Sequence, residues 1–469
     1  MLKKVLVCLS LVLFVYTSAS LTSPESGQDF RFFAVQSVCS NLESSVCIQT
    51  PLKQYYVDSY VTDGQFVGGL SRDSSYGLQR RVLADTFDPG RMGSLIYKVN
   101  GAIIGENYSA GIQNLMLLKS LIASIFLLIT AIILPKELQK AFILTLLLAL
   151  TIIENIIHLG SIAPIGHSKI FYLMALVLIY SVLNFRLSKL RETISWVLIF
   201  LYSLYLGLNR TDQILSFVFV ATSMSIIHLL ATKFRRHQVG SKLSRENYSR
   251  SLLLLGITVI SFLTTQLQNE SRKTINSLTL LTTGNTTANT TEKFWEFFAQ
   301  PYYLFLDIAP TFIPINSQKI ALVQVVVTTV ILFLVIYYCR LVTWKLQTIF
   351  DLLPIFCAYV LFVSYGAAIG PRVEIRYIMG LLLFGFYLIV ANSNKINFFL
   401  DKKIVTGLIF FIFVLCSGVF LPHILEFPKV FLFGTIFNSE IAAAIWVITL
   451  MSNLIVAYRF ATKASLSAS

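Results

Sequence analysis

The sequence predicts an all-α polytopic membrane protein, and three observations indicate this class. Apolar residues make up 56% of the 469 residues and charged residues only 13%, which is outside the usage of soluble domains. Apolar runs of roughly 16 to 22 residues, long enough to cross a bilayer, recur along the chain. Lysine and arginine are concentrated in every second segment between these runs, as expected where they mark the cytoplasmic side. We therefore expect residues 1–469 to form a single integral membrane domain.

The apolar runs predict about 12 transmembrane helices. In chain order they lie near 3–21, 114–134, 139–158, 168–184, 193–208, 213–233, 251–266, 319–339, 345–366, 373–392, 403–422 and 439–459. Two of the connecting segments are much longer than the rest, namely 22–113 and 267–318.

The basic residues in alternate connectors predict the orientation of the chain. They are Lys3/Lys4, Lys136/Lys140, Arg186/Lys189/Arg191, Lys233/Arg235/Arg236/Lys242, Arg340/Lys345, Lys395/Lys402/Lys403 and Arg459/Lys463. Both termini are thus predicted to be cytoplasmic, and 22–113 and 267–318 to be the first and second large extracytoplasmic loops. The net charge of +14 is interpreted as this topology signal, because the basic residues form no basic domain that could bind nucleic acid.

The first apolar run, 3–21, has two interpretations. A basic start, an apolar centre and the small residues Thr17, Ser18 and Ala19 also describe a secretory signal peptide. Retention as a span is favoured, because the connectors rich in lysine and arginine alternate between the two sides of the membrane when this run is counted as a span.

The first loop is expected to contain helices that lie on the membrane surface. Ser23, Pro24 and Glu25 are typical of a helix start, and apolar residues then recur at roughly helical spacing. A second amphipathic stretch, Met92–Ile104, precedes the second span. Cys39 and Cys47 in this loop form a disulfide if the loop faces an oxidising compartment; the alternative is two free thiols.

Acids at the end of the first span are the first candidate site. Glu25 and Asp29 lie about one helical turn apart, so both could face a cleft at the bilayer surface. The alternative is that Glu25 only complements a helix N-terminus and Asp29 only pairs with Arg31.

The segment Gly370–Tyr377 (GPRVEIRY) is the second candidate site. Arg372 and Arg376 lie at the predicted extracytoplasmic edge of a late span, where a guanidinium is suited to a phosphate. The alternative is pairing with Glu374, or contact with lipid phosphates.

Basic residues between the third and fourth spans, and in the first loop, are possible substrate contacts. These are His158, His167 and Lys169, together with Arg91. They could assist at an anionic substrate, or merely pack at the interface or be solvated. No nucleotide-binding or metalloprotease signature occurs in the chain, so ATP-driven transport by this chain alone is not expected.

The layout resembles the GT-C superfamily of membrane glycosyltransferases, in its many spans, its large first loop with surface helices, and its acid after the first span. More narrowly, it resembles a bacterial polytopic family of unassigned activity grouped with that superfamily. Members carry a Pro-Asp-Glu-Pro-x-His-Phe-like segment, to which Pro24–Phe30 (PESGQDF) is similar, with Ser26 and Asp29 at the positions of the second acid and the histidine. Gly370–Tyr377 resembles the later Gly-x-x-Gly-Arg-Tyr-like segment of that family.

A looser similarity is to the phage-type O-antigen-modifying glucosyltransferases. The resemblances imply a GT-C-like bundle in a bacterial inner membrane with a periplasmic active site. They imply a polyprenyl-phosphate-linked sugar donor, a lipid-linked glycan acceptor such as O-antigen, and inversion at the anomeric carbon. Glu25, or alternatively Asp29, would be the base, and Arg372, Arg376 and Tyr377 would bind the donor phosphate.

No cofactor and no metal are expected, because arginines can neutralise a monophosphate leaving group; a metal held by Glu25 and Asp29 is the alternative. The rival functions are a transporter or flippase of lipid-linked sugars, an O-antigen polymerase or ligase, and a non-enzymatic membrane scaffold. A flippase would need the same cations without a base.

Overall fold

The computed structural model describes residues 2–22, 94–104, 108–150, 164–209, 211–235, 241–270, 346–369, 375–392, 402–425, 429–433 and 435–463. Within these ranges the elements are α1 Leu2–Thr22, α2 Ser94–Ile104, α3 Tyr108–Ile133, α4 Lys136–Leu150, α5 Pro164–Asn184, α6 Lys189–Asn209, α7 Thr211–Arg235, α8 Ser241–Glu270, α9 Leu346–Ile369, α10 Ile375–Ala391, α11 Lys402–Leu425, β1 Lys429–Leu432, β2 Thr435–Asn438 and α12 Ser439–Lys463. Nearly all of the described chain is therefore helical.

Helix α5 is the central element of the bundle. Residues 167–183 of it are all buried, because its sequence is apolar around the whole circumference. It packs against α3, α6, α7, α8 and α10. Helices α5 and α10 are parallel neighbours, since Gly380 near the start of α10 lies against Lys169, while Asn392 beyond its end donates to the Tyr180 hydroxyl at 3.4 Å.

Beside this core, helix α1 packs on α3, α11 and α12, and α11 packs on α12. Polar side chains inside the apolar contact bind α1 to α12: the Trp446 indole donates to the Ser18 hydroxyl at 2.9 Å, and the Asn453 amide donates to the Ser10 carbonyl at 3.0 Å. The Trp446 ring is also stacked on Phe420 with the centroids 4.9 Å apart. These bonds hold α1 antiparallel to α12 and set its position along the bundle.

A small β-hairpin, β1 and β2, covers the end of α1. Its strands are antiparallel, with Leu432 opposite Thr435, and they are rich in aromatic and β-branched residues. Phe433 in the turn has a left-handed backbone with φ of 51°, which costs about 1–2 kcal/mol for a residue with a side chain. The N–H of Phe433 donates to the Tyr16 hydroxyl of α1 at 2.9 Å, and the two rings lie 4.7 Å apart. The strained turn is thus held by α1.

At the other end of the bundle an ion pair joins three helices. The Arg250 guanidinium on α8 donates to both carboxylate oxygens of Glu192 on α6, at 2.7 and 3.0 Å. It also donates to the Val182 carbonyl in the last turns of α5, at 3.3 Å. A forked arginine–carboxylate contact of this kind fixes orientation as well as distance.

The sequence expectations for the spans are met in part. Every predicted span except 319–339, which lies outside the described residues, coincides with a helix, although for 139–158 the described helix ends at Leu150. Four segments in the described chain are long and apolar enough to cross a membrane: Gln113–Ile133, His167–Asn184, Val405–Pro422 and Ser439–Arg459. The protein thus has the helices of a membrane protein, while the full number of spans and their orientation stay predictions.

Two further expectations concern the loops. The amphipathic stretch Met92–Ile104 forms α2 from Ser94 onward, and this helix packs on α3 and α6 with Asn100 and Ile104 buried. The hairpin was not predicted: its residues lie in the connector 423–438. The candidate disulfide residues Cys39 and Cys47 lie outside the described residues.

Candidate functional site

The first turns of α5 carry two buried basic residues. His167 is 2% exposed and Lys169 is 1% exposed. The helix begins at Pro164, whose fixed φ and missing N–H suit the first helical position. Because successive residues are rotated by about 100°, His167 and Lys169 lie on opposite sides of the helix. The start of α5 therefore presents a basic side chain to each of two groups of neighbouring helices.

His167 lies on the side of α5 that contacts α3 and α6. Phe171, one turn further along this side, packs against Phe126 of α3 and Tyr205 of α6, with ring centroids 5.8 and 4.7 Å apart. Both the carbonyl and the side-chain charge of Lys119 on α3 lie close enough to act on the His167 ring. No described residue forms a hydrogen bond of good geometry with either ring nitrogen of His167. The contact therefore joins a lysine and a histidine inside the bundle.

Lys169 lies on the side of α5 that contacts α10. A Cβ atom at Gly380 would be 2.9 Å from the Lys169 carbonyl oxygen and 3.1 Å from the Tyr172 Cβ. Only a residue without a side chain allows the two backbones to approach so closely, as is common between membrane helices. Arg376 precedes Gly380 by one helical turn, so its Cα lies about 6 Å nearer the start of α10. The packing thus brings the Arg376–Tyr377 segment beside the turn that carries Lys169.

The electrostatics of this region favour an anion. We call Lys119, His167 and Lys169 the basic cluster. Lysine side chains within an apolar bundle are costly and are typical of a substrate or ion site, and a neutral histidine beside them can donate a hydrogen bond. The N-terminus of α5 adds the partial positive charge of the helix dipole and its first backbone N–H groups. The arrangement can hold a phosphate at the membrane edge.

The C-terminal end of α1 lies at the same end of α3 as the basic cluster. The Tyr16 hydroxyl donates to the Gln113 side-chain oxygen, to which Ser20 also donates at 3.2 Å. Gln113 precedes Lys119 by six residues on α3, which corresponds to about 9 Å along the helix axis. The chain segment that follows α1 therefore starts from the end of the bundle at which the basic cluster lies.

The structure places only some of the residues that the sequence singled out. His167 and Lys169 are described in full, and for Arg376 and Tyr377 only the position on α10 is described. Outside the described residues lie Glu25, Asp29, Arg91, His158 and Arg372. Within the described part of the chain no group of three side chains could hold a metal ion.

Sequence reasoning missed Lys119. It lies inside the predicted span 114–134, where a charged residue is itself a signal of a functional position. That signal was available in the sequence. The neighbour of Lys119, His167, follows 48 residues later in the chain, so only the folded structure shows that the two residues lie close together.

No protein-family model, characterised protein or solved structure matches this chain.

Proposed function

We propose that this protein is an inverting glycosyltransferase that moves a sugar from a polyprenyl-phosphate donor to a lipid-linked or cell-surface polysaccharide on the extracytoplasmic side of a bacterial plasma membrane. The observation that carries the proposal is the basic cluster at the start of α5, with the Arg376 turn of α10 beside it. His167 and Lys169 of this cluster are buried, and Lys119 is half-buried. A polyprenyl phosphate has the matching chemistry, since its tail is soluble in the bilayer and its headgroup is anionic.

The basic cluster supplies what the leaving group requires. As the bond between the anomeric carbon and the phosphate oxygen breaks, negative charge grows on the phosphate, and fixed cations stabilise it. Lys169 is assigned to the phosphate, with Arg376, Arg372 and Tyr377 as further contacts from the start of α10 and the segment before it. Lys119 adds positive potential from the opposite side of α5, where His167 can offer a ring N–H as a hydrogen-bond donor.

The attacking group also needs a base. In the proposed step the acceptor hydroxyl oxygen bonds to the anomeric carbon and its proton passes to a carboxylate, while polyprenyl phosphate leaves from the opposite face. Glu25 is the first candidate and Asp29 the second. Glu25 is the third residue after Thr22, the end of α1, and this length of chain spans at most about 11 Å.

A transfer assay tests the proposal. Membranes that contain the full chain are given polyprenyl-phosphate sugars with a labelled sugar, together with envelope glycan as acceptor. We expect the label to move to the glycan, and Glu25→Gln or Asp29→Asn to lower the rate by at least about 100-fold, the contribution of a general base. Glu440→Gln is the matched control, because Glu440 is an exposed acid at the start of α12.

Three outcomes would contradict the proposed transfer. If both acid variants keep the full rate at equal membrane levels, neither acid is the base. If the labelled lipid crosses the membrane with its sugar–phosphate bond intact and no glycan is labelled, the basic cluster serves a flippase. Transfer of whole glycan chains instead of single sugars would identify a polymerase or ligase.

A further inference from the structure

An acidic residue lies inside the bundle at the end opposite to the basic cluster. Asp351 belongs to the first turns of α9 and is only 7% exposed. It falls within the apolar segment Thr348–Leu361, and a carboxylate at such a position is costly unless it has a function or a partner. His167 and Asn184 on α5, which mark the two ends, are about 25 Å apart along the helix. Asp351 is therefore remote from the proposed transfer chemistry.

Asp351 lines a small cavity between the last turns of α5, the end of α7 and the start of α9. Asn184 and His228 supply the other polar side chains, and Leu183, Met224 and Phe350 supply most of the apolar lining. The cavity has room for about one water molecule. It thus brings a carboxylate, an imidazole and an amide to the same water-sized space.

One tyrosine on a neighbouring helix lies near Asp351, and a second tyrosine packs against the first. Tyr180 of α5 lies close enough to Asp351 for its charge to act on the phenol. Asn392, at the end of α10, donates to the Tyr180 hydroxyl at 3.4 Å, and the Tyr387 ring meets the Tyr180 ring edge-on at 6.1 Å. These neighbours are polar but uncharged at neutral pH.

A hydrogen bond to helix α8 orients the His228 ring. Its Nδ1 lies 2.9 Å from the Ser251 hydroxyl of α8. The nearest strong charges on α8 and α6, Arg250 and Glu192, form a forked ion pair with each other. The titratable groups that line the cavity are therefore Asp351 and His228.

We propose that Asp351 and His228 form a proton-binding pair that shares one proton through water in this cavity. With one proton the pair is electrically neutral, either as carboxylate and imidazolium or as carboxylic acid and imidazole. With none or with two it carries a net charge, which an apolar bundle disfavours. Exchange needs no co-reactant, because the proton comes from water and moves between a carboxylate oxygen and an imidazole nitrogen.

A proton fits this cavity better than a metal ion does. Hard cations such as Ca²⁺ take six or more oxygen ligands. The cavity lining offers the carboxylate of Asp351 and the amide oxygen of Asn184, together with a nitrogen ligand and apolar side chains. Histidine, by contrast, is the side chain whose ordinary pKa allows proton exchange near neutral pH.

Infrared titration of the full chain in lipid nanodiscs tests the pair. In His228→Gln the neighbouring cation is removed, so the buried carboxyl should keep its proton to a higher pH. We expect the protonated-carboxyl C=O band to have its midpoint shifted upward by about one pH unit or more relative to the wild-type protein. Adding Asp351→Asn to His228→Gln should remove that band.

The control is Glu440→Gln, which removes an exposed acid at the start of α12, at the other end of the bundle, and should leave the Asp351 band and its midpoint unchanged. Circular dichroism and gel filtration show whether each variant keeps its fold. The proposal fails if the His228→Gln midpoint equals that of the wild-type protein, or if the shifted band survives in the double variant. It also fails if the midpoint depends on sodium concentration and not on His228, because the cavity would then bind a metal cation.

Discussion

Replacing Gly380 by alanine perturbs the contact that joins α10 to the start of α5. The added Cβ would lie 2.9 Å from the Lys169 carbonyl oxygen and 3.0 Å from the Tyr172 Cδ1. The carbonyl belongs to the backbone of a fully buried helix, so it cannot rotate away as the end of a flexible side chain could. Helix α10 must move outward by a few tenths of an ångström, and overpacking of this kind costs about 1–3 kcal/mol.

Gly385→Ala is a matched control on the same helix. Its added Cβ would meet only the Ile355 Cγ2 atom at 3.5 Å, an ordinary van der Waals contact. Both variants gain the same intrinsic helix propensity of about 1 kcal/mol. The difference between their free energies of unfolding therefore isolates the steric cost, and we expect Gly380→Ala to be the less stable of the two by about 1–3 kcal/mol.

The assay is reversible unfolding of the purified protein in mixed micelles. Polyprenyl monophosphate binding by the folded variants is measured in parallel, because outward movement of α10 would also move the Arg376 turn away from Lys169. Equal stability of the two variants within about 0.5 kcal/mol would show that α10 does not pack on Lys169 as described.

Three further substitutions test other contacts of the bundle. Tyr16→Phe leaves the Phe433 N–H without its acceptor and should lower the free energy of unfolding by about 1–3 kcal/mol, whereas a change below about 0.5 kcal/mol would deny this bond a role. Gly111→Ala would place a Cβ in collision with the Ile104 carbonyl group, so α2 should lose its protection against hydrogen exchange; unchanged protection would contradict the α2–α3 contact. Glu192→Gln breaks the partly buried ion pair with Arg250 and should cost about 1–3 kcal/mol in the same unfolding assay, while equal stability of the variant and the wild-type protein would count against a role for the pair.

The helices could be predicted from the sequence because their signal is local. Apolar runs of sufficient length are visible without knowing what they pack against, and the helix starting at Ser94 was indicated by its amphipathic spacing. The β1–β2 hairpin was not, although its aromatic and β-branched strands flank a turn at Phe433. Its stability depends on Tyr16, more than 400 residues away, and such a contact leaves no local pattern.

The candidate site could be predicted only in pieces. His167 and Lys169 were identified as basic residues at a membrane edge, but Lys119 and Asp351 were overlooked because each is a single charge within a long apolar run. Intramembrane charge was the usable signal for both. Which charges are neighbours, and that the two groups lie at opposite ends of α5, depends on helix packing that composition and spacing do not determine.

Binding of polyprenyl monophosphate to the full chain, measured by native mass spectrometry, tests the central claim most directly. Lys169→Met keeps the length of the side chain and removes its charge, and Lys140→Met is the matched control, since Lys140 is a buried lysine near the start of α4. Loss of a charged hydrogen bond of about 1.5–3 kcal/mol predicts roughly ten- to hundredfold weaker binding by Lys169→Met and unchanged binding by Lys140→Met. Equal affinity in all three proteins would contradict the assignment of the basic cluster to the donor phosphate.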